Sequence, residues 1–236
     1  MFVLKKRNLI IITAFFLTAV TFVLCFAALA KTEVIAAKSG VKIVLDAGHG
    51  GIDGGVKGIN TGVTESDINL SVVKKLETYL VSAGISVVLT RSSDAGLYGV
   101  ASSTLKRRDM LKRKEIIEKA APTMVVSVHM NYYPNSMRRG GQVFFRENNE
   151  KSKALALSLQ KSLNGLYKDV KDYTPLTGDY YILNCTDYPS VIAECGFLSN
   201  PQDETLLITE EFQSELAYSL FTGIIGYLTE NSIAYF

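Results

Sequence analysis

Short apolar runs rich in β-branched residues alternate along this chain with longer segments whose apolar positions recur every three or four residues. Residues 42–47 read as a strand that opens into a glycine-rich loop. Over residues 65–83, Val72, Leu76, Tyr79, Leu80 and Ala83 form one stripe at helical spacing, and Gly84 ends it. Residues 87–89 predict a second strand, 107–120 a helix stopped by Pro122, 124–128 a third strand, and 142–146 a fourth after Gly140-Gly141. A helix is expected over 151–166 and two further strands at 180–183 and 191–193. In the last helix, 210–228, Phe212, Leu216, Leu220, Ile224 and Tyr227 share one side. Strands alternating with helices predict a single α/β domain with a mostly parallel six-stranded sheet, covered by helices on both faces. In such sheets ligands gather beyond the carboxyl ends of the strands.

The N-terminus departs from this pattern. Lys5-Lys6-Arg7 precedes an uncharged, mostly apolar stretch over residues 9–30. As a helix this stretch would reach about 33 Å, enough for a hydrocarbon core of about 30 Å. The basic flank places whatever follows outside the cytoplasm. Ala28-Leu29-Ala30 also matches a small-residue cleavage site, so the expectation is an anchored or secreted protein. Residues 1–35 are read as the signal or anchor segment and 36–236 as the catalytic domain. Cys25 falls in the apolar stretch, and Leu24 before it argues against a lipoprotein cleavage site. Cys185 and Cys195 remain in the domain, where buried thiols are expected over a disulfide.

The formal charge of +2 comes from the leader: without its three cations, 22 basic residues face 23 acidic ones, about −1. That balance gives no nucleic-acid footprint. Lys106-Arg107-Arg108 and Lys112-Arg113-Lys114, interrupted by Asp109 and Glu115, read as a solvated helix face, with contact to an anionic polymer as the lesser alternative.

The chain has two histidines, His49 and His129, and each follows directly on an apolar run. Imidazole is the commonest metal ligand and titrates near neutral pH, so the pair points to one chemical task. His49 sits in Asp46-Ala47-Gly48-His49-Gly50-Gly51, where the glycines allow a sharp turn and leave room for a ligand. The loop lacks the Gly-Lys-Ser/Thr ending of a nucleotide loop. No Gly-x-Ser-x-Gly elbow accompanies it, which excludes a serine esterase. Glu65 opens a helix after Thr64 and either complements the helix dipole, at about 0.3–1 kcal/mol, or supplies a third ligand. Two imidazoles and one carboxylate are the three-ligand set of a zinc hydrolase, with one position open. Glu194 follows the apolar run Val191-Ile192-Ala193, where a carboxylate needs either an ion-pair partner or a task. The task would be general base: taking a proton from the attacking water and returning it to the leaving amine. Tyr132 and Tyr133 are read as packing or as one wall of a sugar groove, while Arg91 and Asn131 carry no assigned role.

The segments VLDAGHGGIDGG, ESDINL, VVLTR, VSVHMN, GGQVFF and ECGFLSNPQD, in this order and spacing, resemble the zinc-dependent N-acetylmuramoyl-L-alanine amidases of the amidase 3 type. The resemblance runs over residues 42–228 and implies hydrolysis of the amide between the lactyl group of muramic acid and the L-alanine of the stem peptide. It implies one Zn²⁺ on His49, Glu65 and His129, with Glu194 as the catalytic carboxylate. Its partners would be peptidoglycan glycan strands bearing stem peptides. The chain departs from other members in showing no wall-binding repeats and no helical insertion over the site. The stretch from Leu105 to Arg113 resembles the sporulation amidases, which act with a deacetylase to form muramic-δ-lactam in spore cortex. That implies work in the space between the membranes of the developing spore, with an accessory protein for activation or targeting. A zinc carboxypeptidase acting within the stem peptide and an inactive wall-binding protein are the competing readings.

Overall fold

Nearly continuous burial marks the central strands of the sheet, with alternate residues entering two different clusters. Strands β1 (Lys42–Ala47), β2 (Ser86–Leu89), β3 (Met124–Asn131), β4 (Gln142–Phe145), β5 (Leu176–Thr177) and β6 (Ser190–Phe197) join in the order β2-β1-β3-β6-β4-β5. This computed structural model describes residues 18, 20, 21, 40–99 and 104–234, and the sheet with its helices lies within Lys38–Phe236. Nearly all of the proposed anchor stretch therefore lies outside the described residues. No helix among the described residues is long and apolar enough to cross a membrane.

Ile43, Leu45 and Ala47 of β1, Met124, Val126 and Val128 of β3, and Val191, Ala193 and Cys195 of β6 all enter one large core. That core is shared with helices α1 (Glu65–Ser82), α3 (Glu150–Leu166) and α6 (Glu210–Glu230). The alternate residues Val44, Val125 and Ile192 face the other way, into a smaller cluster with Ile117 and Ala120 of α2 (Leu105–Ala120) and Ile182 and Leu183 of α4 (Tyr181–Asn184). One face is thickly covered and the other thinly.

β1, β2, β3 and β6 run parallel, as the alternating pattern predicts, but β4 pairs antiparallel with β6 and parallel with β5. The cause is the connection. No helix separates β3 from β4, so the chain turns back, whereas α3 between β4 and β5 restores a parallel crossover.

The expected strand at 180–183 is instead the short helix α4. Ile182 and Leu183 are both buried in the same cluster. Consecutive residues of a strand point to opposite faces, so only a helical turn places both there. The sixth strand is β5, just upstream. A seven-residue helix absent from the sequence reading, α5 (Pro201–Leu207), follows β6. Its signals stand in the sequence: Asn200 caps it by accepting from the Gln202 and Asp203 amides, and proline opens it.

The solvated-face reading of the basic cluster is also corrected. Lys106, Arg107, Arg108 and Lys112 are exposed, but Arg113 is 2% exposed and ion-paired with Asp46 and Asp109. It lies four residues along from Asp109, on the face of α2 that meets the sheet. Cys185 and Cys195 are free thiols, half-buried and buried, as expected.

Candidate metal centre and catalytic cleft

The alternation that buries Ala47, Val128 and Ala193 on the thick face turns Asp46, Ser127, His129 and Glu194 toward the thin one. His129 and Glu194 are register partners across β3 and β6, so their side chains leave the sheet side by side. Both strands continue beyond these residues, to Asn131 and Phe197, with a register shift between His129 and Asn131.

His49 arrives from the turn after β1. It holds a left-handed φ of 61°, a conformation stabilised here by the turn around it. The turn is closed by Gly48 N–H donating to Val128 C=O at 3.0 Å and Gly50 N–H donating to Asp53 C=O at 2.8 Å. Two glycines are sterically required. A Cβ on Gly48 would overlap the His129 ring, and one on Gly55, at φ 69°, would overlap the Glu65 carboxylate and press on the His49 ring. Glu65 is the first residue of α1, delivered to the cluster by the helix start that Thr64 marks.

The three expected ligands therefore meet. One donor atom from each of His49, Glu65 and His129 lies within 4.8 Å of the others. His129 Nδ1 is 2.8 Å from Glu65 Oε1, His49 Nε2 is 3.3 Å from Glu65 Oε2, and the two rings meet edge to face at 5.1 Å. The carboxylate is fixed from behind by amides of Met130 on Oε1, at 3.2 Å, and Val56 on Oε2, at 3.0 Å. Asn69 Nδ2 donates to Oε1 as well, at 3.3 Å. Asp53 Oδ1 lies 3.0 Å from the far nitrogen of His49, a carboxylate–imidazole arrangement of the kind that orients metal-binding histidines.

The electrostatics call for positive charge. Burial alone would raise Glu65, but the hydrogen bond and charge of His129 and then His49 outweigh it and hold the carboxyl far below its ordinary range. Burial alone would lower His49, but Glu65 and then Asp53 lift it to about 9, and His129 is raised by Glu65 and Glu194. A buried anion between two imidazoles is stabilised by protons on those rings or by a cation held among them. The donor set, two imidazoles and one carboxylate, fits a borderline-soft divalent ion with one position open.

Glu194 stands in contrast. Burial pushes its carboxyl up to about 7, with His129 opposing and Glu65 adding to the shift. Its Oε2 is buried without a hydrogen-bond partner in the protein. It opens into a cavity of about 630 Å³ whose walls include His49, His129, Met110, Ile182 and Ile192. The cavity lies over the thinly covered face because α2 and the four-residue α4 leave the ends of the sheet open there.

The matching family is described as N-acetylmuramoyl-L-alanine amidase, over residues 43–226. The chain belongs to that family. It is a peptidoglycan amidase, a hydrolase. A germination-specific N-acetylmuramoyl-L-alanine amidase of Bacillus subtilis (strain 168) is 34% identical over 199 residues, covering 81% of each chain. The amidase AmiA of Escherichia coli (strain K12) is 27% identical, covering 81% of this chain and 78% of its own. Among solved structures, the CwlD amidase from Clostridioides difficile, in complex with the GerS lipoprotein, is 35% identical with a TM-score of 0.78. It matches 81% of this chain and 100% of its own.

Other residues of the cavity carry no signal in the sequence. Tyr132 and Tyr133 are 50% and 44% exposed and do not line the cavity; Tyr98, Tyr180 and Tyr181 do. Tyr133 packs under the Arg138 guanidinium, 5.0 Å from its ring centre. Asn131 serves the backbone, accepting the Tyr132 amide at 2.7 Å on its side chain. Arg91 is buried against the turn that carries His49.

Proposed function

We propose that this amidase hydrolyses the bond between the lactyl group of N-acetylmuramic acid and L-alanine with a single Zn²⁺ held by His49, Glu65 and His129. The convergence of these three donors beside Glu194, whose Oε2 is buried without a hydrogen-bond partner, is the observation that carries the reading. When bound, zinc supplies Lewis acidity, lowering the pKa of a coordinated water to about 7 and polarising the scissile carbonyl.

The chain's own residues do the rest. Glu194 is the proton carrier. Burial sets its carboxyl near neutrality, at about 7, and a divalent charge nearby draws it lower, toward the base form. As carboxylate it accepts the proton of the attacking water; as acid it delivers that proton to the departing L-alanine nitrogen. Register across β3 and β6 keeps it next to His129 throughout. Asp53 stands 3.0 Å from the far nitrogen of His49, and the amides of Met130 and Val56 keep both oxygens of Glu65 aimed at the histidines. Met110, Ile182 and Ile192 give the cavity apolar walls beside these groups.

Residues 1–35 act as the export signal or anchor, and 36–236 as the catalytic domain working outside the cytoplasm. The basic flank and apolar stretch of the leader support this. The biological setting is spore cortex, in muramic-δ-lactam formation, supported by similarity to the germination-specific amidase of Bacillus subtilis. An accessory protein assists, a reading supported by the relative solved together with a lipoprotein.

Muropeptide mass spectrometry tests the chemistry. Zinc-loaded protein on purified peptidoglycan is expected to release stem peptides with a free L-alanine amine and leave muramic acid intact. Cleavage within the stem peptide, or undiminished release after chelation, would overturn the reading.

A further inference from the structure

Arg91 is 4% exposed and stands two residues beyond Leu89, the last residue of β2. Its guanidinium spends its hydrogen bonds on carbonyl groups: Nε donates to Ala47 at 2.9 Å and Nη1 to Ser93 at 3.0 Å. Nη2 donates both to Gly48, at 3.0 Å, and to Ser66, at 2.8 Å. Gly48 precedes His49, and Ser66 follows Glu65. One nitrogen thus ties together the two backbone segments that carry two of the three metal-site donors. Burying a cation whose hydrogen bonds go to neutral carbonyls is unfavourable, and burial indeed lowers the Arg91 pKa. It sits where these two segments converge.

We propose that Arg91 is a positioning residue of the amidase site, fixing the spacing between His49 and Glu65 by cross-linking their backbones. The inference rests on the metal-centre reading above. The planar fork of arginine suits the task, because its separate N–H groups reach Ala47, Gly48, Ser66 and Ser93 together. An ammonium is a single point and cannot span them. Asn69 reinforces the tie, since its Nδ2 donates both to the Gly48 carbonyl, at 3.2 Å, and to Glu65 Oε1, at 3.3 Å. Gly50 leaves the space needed: a Cβ there would stand 3.1 Å from Arg91 Cδ and Nε, at a φ of 138°.

The test compares Arg91→Gln and Arg91→Lys with the wild type and with Leu220→Ala, a core substitution on α6 remote from the site. Zinc dissociation constants are measured by chelator competition, and melting temperatures on zinc-stripped protein. Loosened outer contacts of a metal site weaken binding by about 10–100-fold. That loss is expected for Arg91→Gln, with partial recovery in Arg91→Lys, which keeps the charge and is the variant to rely on if the glutamine form does not fold. Leu220→Ala is expected to lower the melting temperature while zinc affinity stays within twofold of wild type. Folded Arg91 variants with wild-type zinc affinity would overturn the proposal, as would a loss no greater than that in Leu220→Ala at an equal drop in melting temperature. Wild-type protein that binds no zinc would instead overturn the metal-centre reading, and that is seen before any variant is compared.

Discussion

Glu194 of β6 and His129 of β3 are register partners on adjacent parallel strands, so a single sheet position sets a proposed proton carrier beside a proposed metal ligand. Their environments pull apart: the imidazole is raised by its carboxylate neighbours, while the carboxyl is lifted to about 7, chiefly by burial. Glu194→Gln should therefore bind zinc normally and lose about 10²–10⁴ in kcat, the usual size of a general acid–base contribution. His129→Ala should lose the metal itself. Metal analysis alongside peptide release separates the two roles; a Glu194→Gln enzyme with near-normal turnover would sink the assignment.

Glu194 also makes a prediction about stability. An unfolded glutamate ionises near 4.5 and the folded one at about 7. Between those values the native state holds a proton that the unfolded state has released, so this group lowers stability as pH rises through the window, and the full penalty persists above it. Zinc-stripped Glu194→Gln should melt higher than zinc-stripped wild type at pH 8, with the gap closing by pH 4. Equal melting temperatures at pH 8 would count against a buried, unpartnered carboxyl.

Gly48 carries no side chain because the His129 ring occupies that space. Gly48→Ala should displace the ring, weaken zinc binding at least about tenfold and cost about 1–3 kcal/mol of stability, as overpacking does. Isothermal titration with zinc and a urea melt measure both. Unchanged affinity would show that the ring can yield without leaving the cluster.

Arg113 is buried between Asp46 and Asp109, and it also donates to the carbonyls of Ala47, at 2.8 Å, and His49, at 2.7 Å. Asp46 is held in turn by the hydroxyls of Thr90, at 2.7 Å, and Ser127, at 2.5 Å. Arg113→Met would leave two carboxylates without their cation, so a loss of about 3–5 kcal/mol is expected. Urea denaturation of the zinc-stripped protein measures it. A change below about 1 kcal/mol, the worth of an exposed pair, would mean that water reaches this network.

Local pattern carried much of this in plain view. The helical stripe of α1, the β-branched runs of β1, β3 and β6 and the glycine that ends α1 each depend on neighbouring residues, and periodicity reports them. His49, His129 and Glu194 stand in the sequence as polar residues closing apolar runs, and Glu65 as an acid at a helix start. Residues 180–183 are ambiguous in the sequence, because four apolar residues have no period with which to choose between strand and helix. Burial of Ile182 and Leu183 on one side made that choice.

The sequence by itself determined which side chains alternate, where elements begin and which residue types could hold a divalent ion, since these follow from spacing and chemistry along the chain. Tertiary structure alone decided that Arg113 is buried while Arg107 and Arg108 are not, that β4 runs backwards, and that Arg91 ties the carbonyl of Gly48 to that of Ser66. Each of these depends on partners tens of residues away, and contacts closed by the packing of sheet and helices leave no period in the chain that forms them.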